Sequence, residues 1–419
     1  MPGTGGATVL DDLPEWIVVE EILVRLPPKD ILRCRAVRRW WHSATSTDKF
    51  MVDHHRRQPL LPILSHREGK FMLDYFNPQQ RRLLFSFDAG AGQQQLCPVI
   101  RIYGNGTLHA ACDGLLIVSH GSMPNEFFIC NPVTRKCAPL AKPQSKSQEG
   151  FLDMIVGLYQ HQPSGGEFRV LWISSLICYP YGTNYRTFYY VIAVGSGNTR
   201  CIRQGCIPQL TSSLPALELA VCGGLGGSCE YPPVHHRGGL HWRLERYDGW
   251  DADYIMVFDT TAETFRLMCR PARLSNCLKE SLLEMDDTLA LYSLSSDKHT
   301  IDVWVLQDYD AETWSFKHRI NLTGVDPSAL VDPDVTMIPR MAVLNEGELL
   351  IQFNETRRRV LHFDIDGKFL GYVKSEDGQE IDLWVTEHYL RGSVIPLPLS
   401  HEMREEDGAN QEPPFFLEL

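Results

Sequence analysis

Apolar residues along this chain follow two rhythms, a helical one near the start and a strand-like one over most of the remainder. Val19, Ile22, Leu23 and Leu26 keep the i, i+3, i+4, i+7 spacing of one helical face, and Trp16 and Ile17 extend that stripe toward the N-terminus. Asp12, with Glu15 three residues on, has the form of a capping box, and Pro14 suits a first turn, where its missing N–H costs nothing. A helix is predicted to begin there and to stop at Pro27 and Pro28, which cannot continue it. Asp30 is the expected cap of a second helix through Ile31, Leu32, Cys34, Ala36 and Val37, with Arg33, Arg35, Arg38 and Arg39 interleaved. Trp40, Trp41 and Ala44 form a third apolar cluster, and Phe50 and Val52 close the unit. About forty-five residues cannot enclose three apolar helical faces, because so small a unit leaves much of its surface outside. Part of this face calls for a partner.

From about Arg101 the runs shorten and are separated by Gly, Asn, Asp and Pro, the pattern of many antiparallel strands. Phe168 to Ile173, Phe188 to Val194, Tyr254 to Phe258 and Ile301 to Leu306 are examples. Three stretches read alike: Asp113-Gly114-Leu115 leading to Asn131-Pro132-Val133-Thr134, Arg237-Gly238-Gly239-Leu240 leading to Phe258-Asp259…Glu263-Thr264-Phe265, and Asn345-Glu346-Gly347 leading to Phe363-Asp364…Phe369. A fourth, from Asp286-Asp287 to Trp314, fits less tightly. Quasi-repeats of roughly 40–50 residues built from short strands predict a β-propeller, each four-stranded blade burying its faces on its neighbours. Strand periodicity alone leaves a two-sheet sandwich open. Between Leu60 and Cys97 only Phe71 to Tyr75 and Leu83 to Phe87 suggest strands.

Composition narrows the function classes. The 419 residues are 43% hydrophobic and 22% charged, which suits a folded chain of two domains. No secretory signal or run long enough to cross a bilayer is visible, so a soluble protein of the cytoplasm and/or nucleus is expected, without a membrane partner. A net charge of -12 argues against nucleic acid as a partner, since phosphate binding depends on clustered Lys and Arg. The 12 cysteines are scattered through a long chain and are expected to be reduced thiols. Cys222, Cys229, His235, His236 and His241 lack the spacing of a closed zinc site, so no metal is expected. The Gly223 to Gly227 run precedes no amphipathic helix that could hold a phosphate, no nucleophile elbow is present, and neither an enzyme nor a cofactor is expected.

The order Leu13-Pro14-Glu15, Ile22-Leu23, Arg25-Leu26-Pro27, Leu32-Arg33-Cys34-Arg35, Val37-Arg38-Arg39 and Trp41, with Phe50 nine positions on, resembles the plant F-box. That resemblance implies a small all-α, three-helix unit over 11–55 that docks on the Skp-type linker protein of a cullin ubiquitin ligase. It places the contacts at Leu13, Pro14, Ile17, Ile22, Leu23, Leu26, Pro27, Leu32, Val37 and Trp41. Ala44 and Thr45 depart from the pattern, standing where the family usually has larger aliphatic residues, as does Trp40, where a small or polar residue is common. Asn131 to Lys136, the Gly-Leu-His-Trp turn ending at Trp242, the strand from Phe258 to Phe265, and Ile301 to Val305 followed by Trp314 resemble the F-box-associated interaction domain of plants, a kelch-like propeller.

The expected organisation is therefore an F-box at 11–55, a linker or start of the β domain at 56–99, an all-β domain at 100–395 and an acidic, disordered tail at 396–419. The resemblance implies a non-catalytic adaptor that brings an unknown protein substrate to the ligase. The alternative is a propeller interaction module whose F-box recruits no cullin complex. Loop aromatics Tyr179, Tyr181, Tyr185, Tyr247, Trp250 and Tyr254 are the candidate target contacts, because Tyr and Trp favour recognition surfaces.

Overall fold

The computed structural model describes residues 13–398 except 69–80, 90–93, 104–105, 121–125, 144–150, 165, 177–185, 207–216, 218–224, 226–230, 245–253, 272–279, 296–299, 323–338, 345–346, 354–358, 365, 376–377 and 379–380. Four helical segments come first. In α1 an α turn (Glu15–Ile17), a π turn (Val18–Ile22) and a 3-10 turn (Leu23–Arg25) follow one another. Then come α2 (Pro28–Val37), α3 (Arg39–Thr45) and α4 (Asp48–Arg57). Asp12 lies outside the described residues. Asp30 does not cap α2: the helix starts two residues earlier at Pro28, a first-turn proline, and the Asp30 carboxylate instead accepts from Arg33 at 2.9 Å. The segment around Phe50 and Val52 is a fourth helix, capped by the Thr47 hydroxyl, which accepts from Phe50 N at 3.3 Å.

Twenty-four strands follow among the described residues, in six antiparallel four-stranded sheets. Blade I holds β1 (Leu60–Glu68), β2 (Arg81–Asp88) and β3 (Gln95–Tyr103). Blade II is β4 (Leu108–Cys112), β5 (Leu115–His120), β6 (Glu126–Asn131) and β7 (Lys136–Pro139). Blade III is β8 (Phe151–His161), β9 (Glu167–Leu176), β10 (Arg186–Ala193) and β11 (Thr199–Cys206), and blade IV is β12 (Val234–His236), β13 (Gly239–Arg243), β14 (Tyr254–Asp259) and β15 (Thr264–Cys269). Blade V is β16 (Glu280–Met285), β17 (Thr288–Leu294), β18 (Thr300–Asp308) and β19 (Thr313–Asn321). Blade VI is β20 (Arg340–Val343), β21 (Leu349–Gln352), β22 (Leu361–Phe363) and β23 (Phe369–Tyr372). The last strand, β24 (Leu383–Arg391), returns to pair with β1 and completes blade I. The architecture is a six-bladed β-propeller, not a sandwich, and Leu60 to Tyr103 supply its first blade. Phe71 to Tyr75 lie outside the described residues.

The repeats visible in the sequence are hairpin turns. Asp113-Gly114, Arg237-Gly238 and Asp286-Asp287 each place two consecutive residues at positive φ (45° and 83°, 46° and 72°, 51° and 56°). Such two-residue loops match the twist of the strands they join. Asp286-Asp287 does this without glycine, which is why blade V reads less like the others. At the next hairpins Asn131, Asp259 and Asp308 each accept, through the side chain, from the backbone N–H groups two and three residues on. The turn then ends on a left-handed residue, Arg135, Glu263 or Glu312.

One apolar cluster fills each of the six seams between adjacent blades, as alternating strands with two buried faces require. The expectation of reduced thiols fails at Cys130 and Cys137, which are directly opposed across β6 and β7 and joined by a disulfide. Leu397, in the expected tail, is buried in the seam between blades II and III, and residues 399–419 lie outside the described residues.

Candidate functional site

The helical unit is seated on the propeller by the segment that follows β24. Val394 is 1% exposed and joins Val18, Leu23, Val24, Ile31, Trp41, Phe50 and Met51 in a single apolar cluster, with Ile395 and Val133 packed against it. Asn131 orders this junction. Its side-chain oxygen shapes its own turn, while its Nδ2 donates to the carbonyls of Ser393 at 3.1 Å and Ile395 at 2.8 Å. The chain must pass closely at Gly392, where an added Cβ would stand 2.8 Å from Pro28 Cγ. His55 of α4 lies 3.4 Å from the Gly392 carbonyl and 3.4 Å from Asp113 Oδ1, and this contact with His55 holds the Asp113 carboxyl below its ordinary value.

Inside the unit, polar groups tie the helices together. The ring of His54 lies with Nε2 2.8 Å from the Leu26 carbonyl, anchoring α4 to the end of α1. Arg35 of α2 donates to the Thr45 hydroxyl at 3.1 Å and to its carbonyl at 2.5 Å, and the hydroxyl donates to Trp41 O at 2.7 Å. Thr45 is thus a fully buried polar staple between α2 and α3, which a larger aliphatic residue could not replace. Trp40 packs edge-on against Trp41 at 5.9 Å, and the Arg38 guanidinium covers the Trp41 ring at 5.2 Å.

The expected linker contacts divide by exposure. Leu23 and Trp41 belong to the interior cluster, and Leu13, Leu26 and Leu32 are half-buried against it. Ile17 and Ile22 are half-buried, while Pro14 and Pro27 are exposed. Val37 is 66% exposed, and Trp16, part of the predicted stripe, is 59% exposed. These large apolar side chains, with Val52 of α4 also exposed, are left in water by a unit whose interior cluster is covered.

Of the expected target contacts, Tyr179, Tyr181, Tyr185, Tyr247 and Trp250 lie outside the described residues. Tyr254 is not a loop residue: it opens β14 and packs half-buried on the seam between blades III and IV, because its ring lies on the face of the strand that meets that core. Cys222 and Cys229 also lie outside the described residues. His241 is buried, with Nδ1 3.1 Å from Val234 O and Nε2 3.0 Å from the Tyr309 hydroxyl. Among the described residues no group of three His, Cys, Asp or Glu is arranged to hold a metal, and no helix is long and apolar enough to cross a membrane.

Reading the sequence missed the seat itself. Its members, Asn131 and Ser393 to Ile395, stand more than 260 positions apart, and only the Asn-Pro-Val-Thr turn hinted at one half of it.

The model of the F-box associated beta propeller domain matches residues 100–390. Among curated proteins of Arabidopsis thaliana, F-box protein At5g18160 is 24% identical over 300 residues, covering 71% of this chain and 67% of the relative. F-box protein At1g67130 is 25% identical over 355 residues, covering 82% of this chain and 67% of the relative. F-box protein At5g49610 is 22% identical over 391 residues, covering 90% of this chain and 96% of the relative.

Proposed function

Because the chain belongs to the family of F-box associated β-propeller proteins, we propose that it is the substrate-recognition adaptor of a cullin-type ubiquitin ligase. In this reading the helical unit binds the Skp-type linker and the propeller binds a protein target. The adaptor performs no covalent step. It holds the target's lysines near the charged conjugating enzyme, and its catalytic contribution is proximity.

The observation that carries this reading is the exposure of Val37 and Trp16, the two most exposed large apolar side chains of a unit whose interior cluster is covered from within and from the propeller. A partner that buries both side chains gains roughly 1.5–3 kcal/mol from each. Thr45, the clearest departure from the F-box pattern, is spent inside the unit and leaves the exposed face unaltered. That weakens the alternative of an F-box that recruits nothing.

The test is an affinity measurement between the full chain and a purified Skp-type linker. The double variant Pro14→Ala, Val37→Glu changes only exposed positions and is expected to fold normally while binding at least tenfold more weakly. Undiminished binding by the folded variant would sink the assignment. Failure of the unaltered chain to bind any such linker would favour the alternative.

A further inference from the structure

The inner strands of five blades enclose a cavity of about 300 Å³ along the propeller axis, lined from β4, β12, β16, β20 and β24. That volume sits at the lower end of the roughly 300–1,000 Å³ usual for small-molecule sites and would hold about ten waters. Its lining carries Asp113, Glu284, Glu387, Arg391 and the rings of His235 and His388, beside the apolar Val234, Leu282 and Met341.

The carboxylates have partners within the protein. Asp113 accepts from Cys112 Sγ at 3.5 Å and faces His55. Glu387 accepts from the Tyr292 hydroxyl at 3.0 Å and from Met341 N at 3.4 Å, and lies 3.8 Å from Arg340. Glu284 stands 3.7 Å from His236, and burial, reinforced by Asp287 and opposed by Arg391, pushes its carboxyl up to about 7, which thins the negative charge of the lining near neutrality.

Two groups are left over. Arg391 is half-buried, its Nε has no hydrogen-bond partner, and it faces Glu284 without a contact close enough to count as an ion pair among the described residues. His388 is 8% exposed and, among the described residues, no hydrogen bond reaches its ring. Burial, aided by His109 and Arg340, pushes that ring down to about 3, so it is neutral and keeps one N–H to donate. A half-buried guanidinium whose facing carboxylate, Glu284, is partly protonated near neutrality is incompletely compensated, and an anion brought into the cavity supplies the missing charge.

We propose that this inner cavity binds a small organic acid, its carboxylate paired with Arg391 and hydrogen-bonded by His388, its apolar part against Val234, Leu282 and Met341. An ammonium ligand meets the wrong unpaired charge, and a neutral ligand leaves the guanidinium as it was.

The test titrates the purified full chain with three probes of one shape: phenylacetate, phenylacetamide and phenethylamine. Calorimetry or ligand-observed NMR is expected to show phenylacetate binding in the millimolar range or tighter, the order expected for so small a probe. The amide should bind at least tenfold more weakly, and the amine not at all. Arg391→Met should cost the acid at least tenfold with its melting transition retained, and Ala111→Leu, which fills the cavity from β4, should weaken it too. The proposal is overturned if the unaltered chain binds no phenylacetate, if acid and amide bind alike, if the amine binds more tightly, or if folded Arg391→Met binds as well as the unaltered chain. Should Arg391→Met not fold, the comparison of the three probes on the unaltered chain decides by itself.

Discussion

Single side chains hold strained or distant parts of this protein together, and Glu263 shows how. It sits at φ 53°, a left-handed position that a side chain adopts at a cost, and is almost fully buried. The Tyr159 hydroxyl donates to it at 2.8 Å and Arg169 at 2.7 Å, with Arg200 also in contact, so blade IV's turn is fastened to blade III. Glu263→Ala leaves the buried Tyr159 hydroxyl without its acceptor and takes one carboxylate from Arg169, which keeps Glu167 at 3.1 Å, so a loss of roughly 1–3 kcal/mol is expected. It is read as a lower urea midpoint at unchanged slope.

Buried histidines set the acid limit. Burial pushes His241 down to about 4 and His388 to about 3, whereas in the unfolded chain each titrates at its ordinary 6.5. Below about pH 6.5 the unfolded state takes up protons that the folded state refuses, so stability falls as pH falls, by roughly 1.4 kcal/mol per pH unit for each ring. Denaturation curves from pH 7 to 4.5 should show this decline, and His388→Asn should flatten it. The residue types were legible in the sequence; their burial depends on which blades they face, and periodicity within one strand does not report that. Thr45 is the sharpest instance, since it departs from the family pattern and its reason lies in Arg35.

Elements whose signals are local were legible. The X-Gly turns and the Asn or Asp that opens each four-residue turn disclosed blades II, IV and VI, because turn chemistry is written in adjacent residues. Blade III escaped as a repeat: its strands are 11 and 10 residues long at β8 and β9, and the connection between them runs through a short 3-10 turn at Gln162–Ser164. Blade I escaped because its strands come from both ends of the chain. The segment Gly392 to Ile395 carries no helix or strand signal, yet it seats the helical unit. Gly392→Val should drive a side chain into Pro28 and loosen the seat while sparing the blades. Limited proteolysis should then cut faster near Gln58 and Pro59, with the propeller fragment persisting. Equal cleavage rates would show that the seat does not depend on this close approach.

At the scale of the molecule, β24 is the fastener. It pairs with β1 and lies against β4 and β20, so the first and last strands close one blade and the ring has no open seam. A chain ending after Asp382 loses that strand and uncovers Leu64 and Phe87, both fully buried in the intact ring. It is expected to aggregate or melt without a cooperative transition, whereas a chain ending after Pro398 should melt as the full chain does; size-exclusion and calorimetry distinguish the two. A propeller was legible from repeat spacing alone, but its blade number was not, since two of six blades carry no repeat.

The seat also sets an order in time. His55 and Gly392 are 337 positions apart, so a ribosome adding roughly 5–20 residues per second releases the helices tens of seconds before the chain that steadies them. An unfinished polypeptide carries the helical segment without its support, and synthesis must pass β24 before the helices have their seat.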